Sequence, residues 1–465
     1  MSDSDLKDVE AKTVGDPALS SRLGRFKLGN FFFGLVLLVL LFATNRYGDQ
    51  YLIDFAGMDS HAYIEIAQAF PHLPSASWVH PIAEFHPCEQ PTAQRFSTMA
   101  YQFAQRAAIP YLIGALSSLT RMSVETCFKG CLIFLILAIV FVFTRLLAEL
   151  PLPKSAENIL LLFFILTPYT FRYYIAIPFM LTDLAFELGL AIVVLGLFKQ
   201  RPWLTLLGFL LASLSRQTAL LLIPFVLGWV YSVWPDSEPL EGKQKKTLFS
   251  IAIVIVGILV YEGSGVLAAL YAQPSVNAHH VTAFFDWAAT SFDPKVLCIF
   301  LIRGLVPFAI PVCFVFGLLF GCSSKKWEGP EKKKGFLLLG SVILVCSQPI
   351  LGGPILTGNG ITRLVTLALI PFLLAIGFIV QKLNVEDDLF DRVFPFACLL
   401  AGLGSFHHMF SYLGGTDFGL SGHFAMITFL FAAMMFFIVL YFTHVVHSSN
   451  QEGLLMEVSV SETSS

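Results

Sequence analysis

Charge is what this sequence has least of: Asp, Glu, Lys and Arg make up 13% of its 465 residues, about half the roughly 25% of an ordinary soluble domain. A soluble globule is excluded. The formal net charge is −3 and no basic block is interleaved with aromatics, so nothing electrostatic supports nucleic-acid binding. Of eight cysteines, seven lie in or beside apolar runs and only Cys88 in a polar stretch, which gives neither a disulfide framework nor a CxxC-type metal site. The eleven histidines contain no HExxH or other spacing with a defined metal geometry. There is no internal repeat, no low-complexity segment and no Gly-rich phosphate loop, so a nucleotide-sugar donor is not suggested. The absence of any N-x-Ser/Thr sequon favours a bacterial over a secretory-pathway source.

What the chain has is apolar length. Hydrophobic residues make up 56% of it, in long runs from Leu28 to Tyr441. The expected fold is therefore an all-α polytopic membrane protein of about twelve transmembrane helices. The spans read as 28–45, 123–148, 157–172, 178–198, 203–215, 218–235, 247–271, 296–321, 335–351, 364–381, 393–413 and 423–445. Residues 1–27 and 446–465 form polar tails, and 28–445 the membrane domain. The first run lacks a small-residue cleavage site, so it reads as a retained helix rather than a signal peptide.

One further apolar segment, 107–119, would reach only about 20 Å as a helix, against a hydrocarbon core of about 30 Å. If it lies on the surface instead of spanning, 19 of the 29 basic residues fall on one side. The positive-inside rule makes that side cytoplasmic and puts both termini there, in a plasma or inner membrane. The long polar stretch at 46–121 then faces outward. A connection of that length is more often functional than linking.

Within this loop Tyr63, Ile66, Ala67 and Phe70 recur at helical spacing, the pattern of a short helix lying on the membrane surface. Asp59 opens it, either as a helix cap or as a carboxylate base at the water boundary; Asp54 is a second candidate for the base. A second amphipathic stretch, 92–106, carries Arg95 and Arg106, and a guanidinium at headgroup height suits a lipid phosphate. Inside the spans, Asp183 and Arg216 lie roughly 24 Å and 20 Å from the basic end of their helices at about 1.5 Å per residue. Arg303 and Arg363 fall in the same zone. A structural Asp183–Arg216 ion pair and a ligand site both account for the first two.

The segments GMDSHAYIEIAQ at 57–68, QRAAIPYLIGALSSL at 105–119, LTDLAF at 181–186 and ASLSRQTALLL at 212–222, in this order, resemble motifs of bacterial polytopic GT-C glycosyltransferases. In that group the first motif is GYDGQFYY-like, the second R-x-x-LYP-like, the third [ST]DP-like and the fourth LTRET-like. Here Met58 replaces the aromatic, Ser60 the second glycine, Leu184 the proline and Gln217 the acid. The resemblance covers about the first half of the chain; beyond it, Arg363 is similar to an arginine near the last helices of such proteins. It implies a GT-C-like fold with interfacial helices in the first outer loop, and transfer of a sugar from a polyprenyl-phosphate carrier to a glycan or lipid acceptor outside the membrane. Asp59 would be the catalytic base with Asp183 in support, and Arg106, Arg216 and Arg363 would hold the donor phosphate. Some relatives bridge carboxylates and phosphate with a divalent ion; this sequence leaves that cofactor open.

Three other functions share parts of this plan. A carrier or flippase also uses twelve helices, but the sequence shows no repeat of six. A lipid-glycan ligase usually has its large outer loop late in the chain, and the departures at Ser60 and Gln217 also fit a non-catalytic scaffold. Topology is directly testable: a reporter fused after Lys334 should read cytoplasmic and one fused within 80–90 external, and an external reading at Lys334 would require 107–119 to span.

Overall fold

In hydrocarbon a backbone satisfies its own N–H and C=O groups only as a helix or a closed barrel, and runs this apolar form helices here. The computed structural model describes residues 28–48, 58–72, 105–235, 241–271, 280–322, 330–357, 360–383, 385, 387–406 and 422–463, with no strand among them. The α-helices, in order, are α1 (Leu28–Thr44), α2 (Met58–Gln68), α3 (Ala108–Thr120), α4 (Val124–Leu147), α5 (Lys154–Leu166), α6 (Arg172–Ala176), α7 (Leu181–Phe198), α8 (Pro202–Ser215) and α9 (Ile223–Ser232). They continue as α10 (Glu241–Tyr271), α11 (His280–Thr290), α12 (Pro294–Leu305), α13 (Ala309–Gly321), α14 (Pro330–Leu356), α15 (Ile361–Thr366), α16 (Leu369–Lys382), α17 (Asp387–Phe406) and α18 (Gly422–Thr463).

Seven helical segments among the described residues are long and apolar enough to cross a membrane: Val124–Leu147, Leu181–Phe198, Lys243–Ala268, Pro294–Gly321, Glu331–Pro354, Asp387–Phe406 and Ala425–Val446. The chain has the composition and helix lengths of a polytopic membrane protein. The expected spans at 28–45, 203–215, 218–235 and 364–381 correspond to shorter apolar helices, as does the segment at 107–119. The expected span 157–172 is corrected outright: α5 stops at Leu166 after 13 residues, because Pro168 follows and a proline disfavours helix in the residue before it.

The short helices stop because the chain breaks at three places near one end of the bundle. Between α5 and α7, residues 167–180 form an irregular segment holding only the five-residue α6, and every residue of it is buried. Between α8 and α9 the chain is extended at Arg216 (φ −153°, ψ 141°) and then forms a 3₁₀ turn, Gln217–Leu222. Near the end of α14, Gly353 takes φ +62°, a left-handed conformation open to glycine, between Pro349 and Pro354. Non-helical backbone at membrane depth is tolerated where protein encloses it, and these breaks lie against one another.

What presses them together is a close antiparallel crossing of α7 and α8. A Cβ added at Gly189 would stand 2.6 Å from the Ala212 nitrogen, one at Gly196 2.5 Å from Thr205 nitrogen, and one at Gly208 2.7 Å from the Gly189 carbonyl oxygen. Lipid supplies no hydrophobic drive between helices, so small residues that let backbones meet are the usual adhesive. The crossing puts the start of α7 beside the end of α8, and so Asp183 beside Arg216. The same device seats the surface helix: a Cβ at Gly114 of α3 would lie 2.2 Å from the Ala67 carbonyl oxygen of α2.

The opposite end of the bundle carries ion pairs in short connections. Lys199 meets Glu149, Lys382 meets Glu331, and Arg392 bonds Asp388 at 2.8 Å. Lys246 Nζ donates to the Trp234 carbonyl at 2.7 Å.

A contrast of glycines tests the crossing. Gly208→Ala should cost on the order of 1–3 kcal/mol through overpacking, read as a lower Tm in detergent. Gly340→Ala, where a Cβ meets nothing within 4 Å, should leave Tm unchanged or slightly raised, since a helical glycine is about 0.5–1 kcal/mol less favourable than alanine. Equal Tm values for the two would remove the crossing as the cause.

Candidate functional site

Two of the helix breaks, together with the short α15, deliver polar side chains to one carboxylate. Asp183, in the first turn of α7, is 1% exposed. A helix start suits it, since the unpaired N–H groups and dipole there favour a negative charge. Arg216 Nη1 bonds Asp183 Oδ1, and the two side chains are 4% and 1% exposed. Arg363 of α15 approaches the other oxygen, Nε to Oδ2 at 3.5 Å, and is 13% exposed. Tyr174 of α6 donates to Oδ2 at 3.4 Å. Both carboxylate oxygens are therefore occupied.

Around this centre the contacts widen. Arg363 Nη1 donates to the Tyr173 hydroxyl at 3.2 Å, and its guanidinium carbon stands 5.4 Å from the Tyr173 ring centroid, a cation–π contact. Arg106 Nε donates to Gln217 Oε1 at 3.3 Å, so the residue after Arg216 holds a third arginine close enough to act on both Asp183 and Arg216. Thr218 Oγ1 donates to Gln348 Oε1 of α14. On the loop side, Tyr63 of α2 is fully buried and accepts from Thr182 Oγ1 at 3.2 Å. Thr182 precedes Asp183, so the surface helix is latched directly onto the cluster.

Of the candidates read from the sequence, Asp183, Arg216, Arg363 and Arg106 are brought together. Asp59 lies in the first turn of α2, four residues before Tyr63, but its side chain lies outside the described residues; Asp54 and Arg95 lie outside them altogether. So do most of the outward histidines, and His72 is exposed. Arg303, expected in the same zone, packs by its backbone against α15: Thr362, the residue before Arg363, donates from Oγ1 to the Arg303 carbonyl oxygen at 3.2 Å. Among the described residues no three His, Cys, Asp or Glu side chains gather as metal ligands.

Several partners are visible only in the structure. Tyr63, Tyr173, Tyr174 and Gln348 looked like ordinary aromatic or polar residues of helices. The signal for Tyr173 and Tyr174 was the pair Pro168 and Pro178, which brackets them and forbids one continuous helix. Glu187, one turn beyond Asp183, is 2% exposed, and its Oε1 makes no hydrogen bond. Among the described residues the cluster holds three guanidiniums, Arg106, Arg216 and Arg363, and two carboxylates, Asp183 and Glu187.

No family model, curated protein or solved structure matches the chain.

Removing one member of a buried pair strands the other, at a cost of about 3–5 kcal/mol. Asp183→Asn should therefore destabilise strongly, and the double variant Asp183→Asn/Arg216→Gln should recover part of the loss, both read as Tm in detergent. A simple sum of the two single effects would mean that the residues are not coupled.

Proposed function

We propose that this chain is an integral-membrane glycosyltransferase of GT-C type, with about twelve spans and both termini cytoplasmic, which moves a sugar from a polyprenyl phosphate to a glycan or lipid acceptor on the outer side. The observation that carries the reading is a gathering of arginines at a break in the helices: Arg216 and Arg363 share the Asp183 carboxylate, and Gln217 holds Arg106 beside them. Guanidinium groups at this depth are costly, and a phosphate is the anion their planar fork fits best.

In this mechanism the arginines hold the donor phosphate and stabilise the charge that grows on it as the glycosidic bond breaks. Asp183, with both oxygens engaged, positions Arg216 and Arg363 and takes no proton. The acceptor hydroxyl needs a separate base, and Asp59 is the candidate. It is one helical turn from Tyr63, which the Thr182 hydroxyl contacts. The ordered motifs quoted above support the same assignment. A carrier for a lipid-linked sugar would use the same arginines without the base, so the base separates the two readings.

The test is sugar transfer from a labelled polyprenyl-phosphate sugar by purified protein. Asp59→Asn keeps helix-capping ability, since Asn caps about as well as Asp, while losing general-base assistance lowers rate by about 10² to 10⁴. The variant should fold normally and lose transfer by that factor, with Asp54→Asn as the active control. Near-normal transfer by Asp59→Asn would reduce this residue to a cap, and absence of transfer by the wild type with retained lipid binding would favour the carrier.

A further inference from the structure

Arg106 stands just before α3, and what holds it carries no charge. Its Nε donates to the side-chain carbonyl oxygen of Gln217 at 3.3 Å. Among the described residues no carboxylate pairs with it, and no acceptor meets its two terminal nitrogens. A guanidinium presents its N–H groups as a fixed fork, so a bond through Nε alone orients the group and leaves Nη1 and Nη2 open. The side chain is half-buried. Helix α3 begins at Ala108 with no side chain capping it, so the positive end of its dipole lies beside the same guanidinium.

The backbone that carries Gln217 is fixed on both sides of it. The Arg216 N–H donates to the Ala212 carbonyl at 2.9 Å, and the Ala219 N–H donates to the Arg216 carbonyl at 3.1 Å. Thr218 Oγ1, one residue on, donates to Gln348 Oε1 of α14. Gln217 is therefore a rigid post, and its neighbour in sequence is the guanidinium bound to Asp183. Arg216 makes that bond through Nη1, while its Nε is buried without a hydrogen-bond partner. Two arginines on consecutive anchors thus each keep donors unspent, and one of those donors is shut away from water.

We propose that Gln217 is a positioning residue of the phosphate site: it fixes Arg106 through an uncharged acceptor, so that the terminal nitrogens of Arg106, together with Arg216 Nε, are left for a phosphate. The inference rests on the transferase reading for the ligand, the phosphate of a polyprenyl-phosphate sugar. Neutrality is what the role requires. A carboxylate of the same length would draw Arg106 into a charge-assisted pair, which a phosphate would first have to displace. A side chain with no acceptor would leave the guanidinium charged but unplaced, and the cost of ordering it would fall on the ligand. The amide orients the arginine and does not neutralise it. A buried N–H without an acceptor is unfavourable, and the phosphate supplies one to Arg216.

The experiment uses the full chain in nanodiscs of phosphatidylcholine, with labelled polyprenyl phosphate as the probe. Gln217→Glu should weaken binding by about tenfold or more, the scale of a charge-assisted hydrogen bond. Its Tm should stay at or above the wild-type value, because an ion pair replaces a neutral bond. Gln217→Ala should weaken binding by about two- to tenfold, the scale of ordering one long side chain. In an Arg106→Gln background Gln217→Ala should have no further effect on binding, since its role is exerted through Arg106. In transfer both single variants should raise the donor KM and leave the acceptor KM unchanged. Wild-type binding by Gln217→Glu would overturn the proposal, as would additive effects of Gln217→Ala and Arg106→Gln, which would reduce the bond to a tether for α3. A Tm of Gln217→Glu that falls along with its binding would mark the residue as structural alone. If the wild type binds polyprenyl phosphate but transfers no sugar, the transferase reading fails while the role of Gln217 stands on the binding results. Failure of the wild type to bind the lipid would overturn both.

Discussion

The carboxylate of Asp183 is the constraint on which the rest of the site depends. An unpaired charge there would cost several kcal/mol, so each of its oxygens needs a donor. Those donors come from segments far apart in sequence: Arg216 after α8, Tyr174 in α6 and Arg363 in α15. One buried group thereby fixes the relative height of two helix breaks and of α15. Once Asp183 is at the start of α7, the glycine crossing leaves Arg216 no other position, and the 3₁₀ turn that follows delivers Gln217 to Arg106.

Helix breaks at such depth leave backbone groups to satisfy, and the polar residues between the apolar runs do it. Asn45 Nδ2 donates to the Arg172 carbonyl at 2.7 Å. The Arg172 side chain donates from Nε to Ser405 Oγ at 3.0 Å and from Nη1 to the Thr44 carbonyl at 3.4 Å. These acceptors lie at the C-terminal ends of α1 and α17, where helix dipoles place partial negative charge. Arg172 is thus a second buried guanidinium with a different solution: helix ends and the Phe406 ring face it, at 5.4 Å for the ring. It joins α1, α6 and α17.

The membrane class and the main polar residues of the centre could be read from the chain because both depend on rarity. An Asp or Arg inside an apolar run stands out whatever its surroundings, and counting residues from the basic loops gave Asp183 and Arg216 similar heights. Hydropathy failed where apolar sequence is not helical. Residues 167–180 are nearly as hydrophobic as a span, so 157–172 read as one, and only the prolines at 168 and 178 marked the break. Tyr63 lies with Ile66 and Ala67 on the buried apolar face of its helix, as their spacing predicts, but periodicity carries no information on what a hydroxyl will meet, so its contact with Thr182 was invisible.

The two arginine environments bear on whether the Asp183 cluster is only an anchor. Holding three broken segments together requires one carboxylate and one guanidinium, as the tight Arg216–Asp183 pair supplies. Arg172 is held by helix ends, a hydroxyl and a ring. Arg363 and Arg106 are additions to the Arg216–Asp183 pair: Arg363 shares the carboxylate and meets Tyr173, and Arg106 bonds the Gln217 amide. Like charges gathered in a medium of low dielectric repel one another. A term that destabilises the protein alone becomes favourable when an anion is bound. On the proposed reading, the anion that offsets this repulsion is a phosphate held by all three, with Asp183 keeping two of them from turning away.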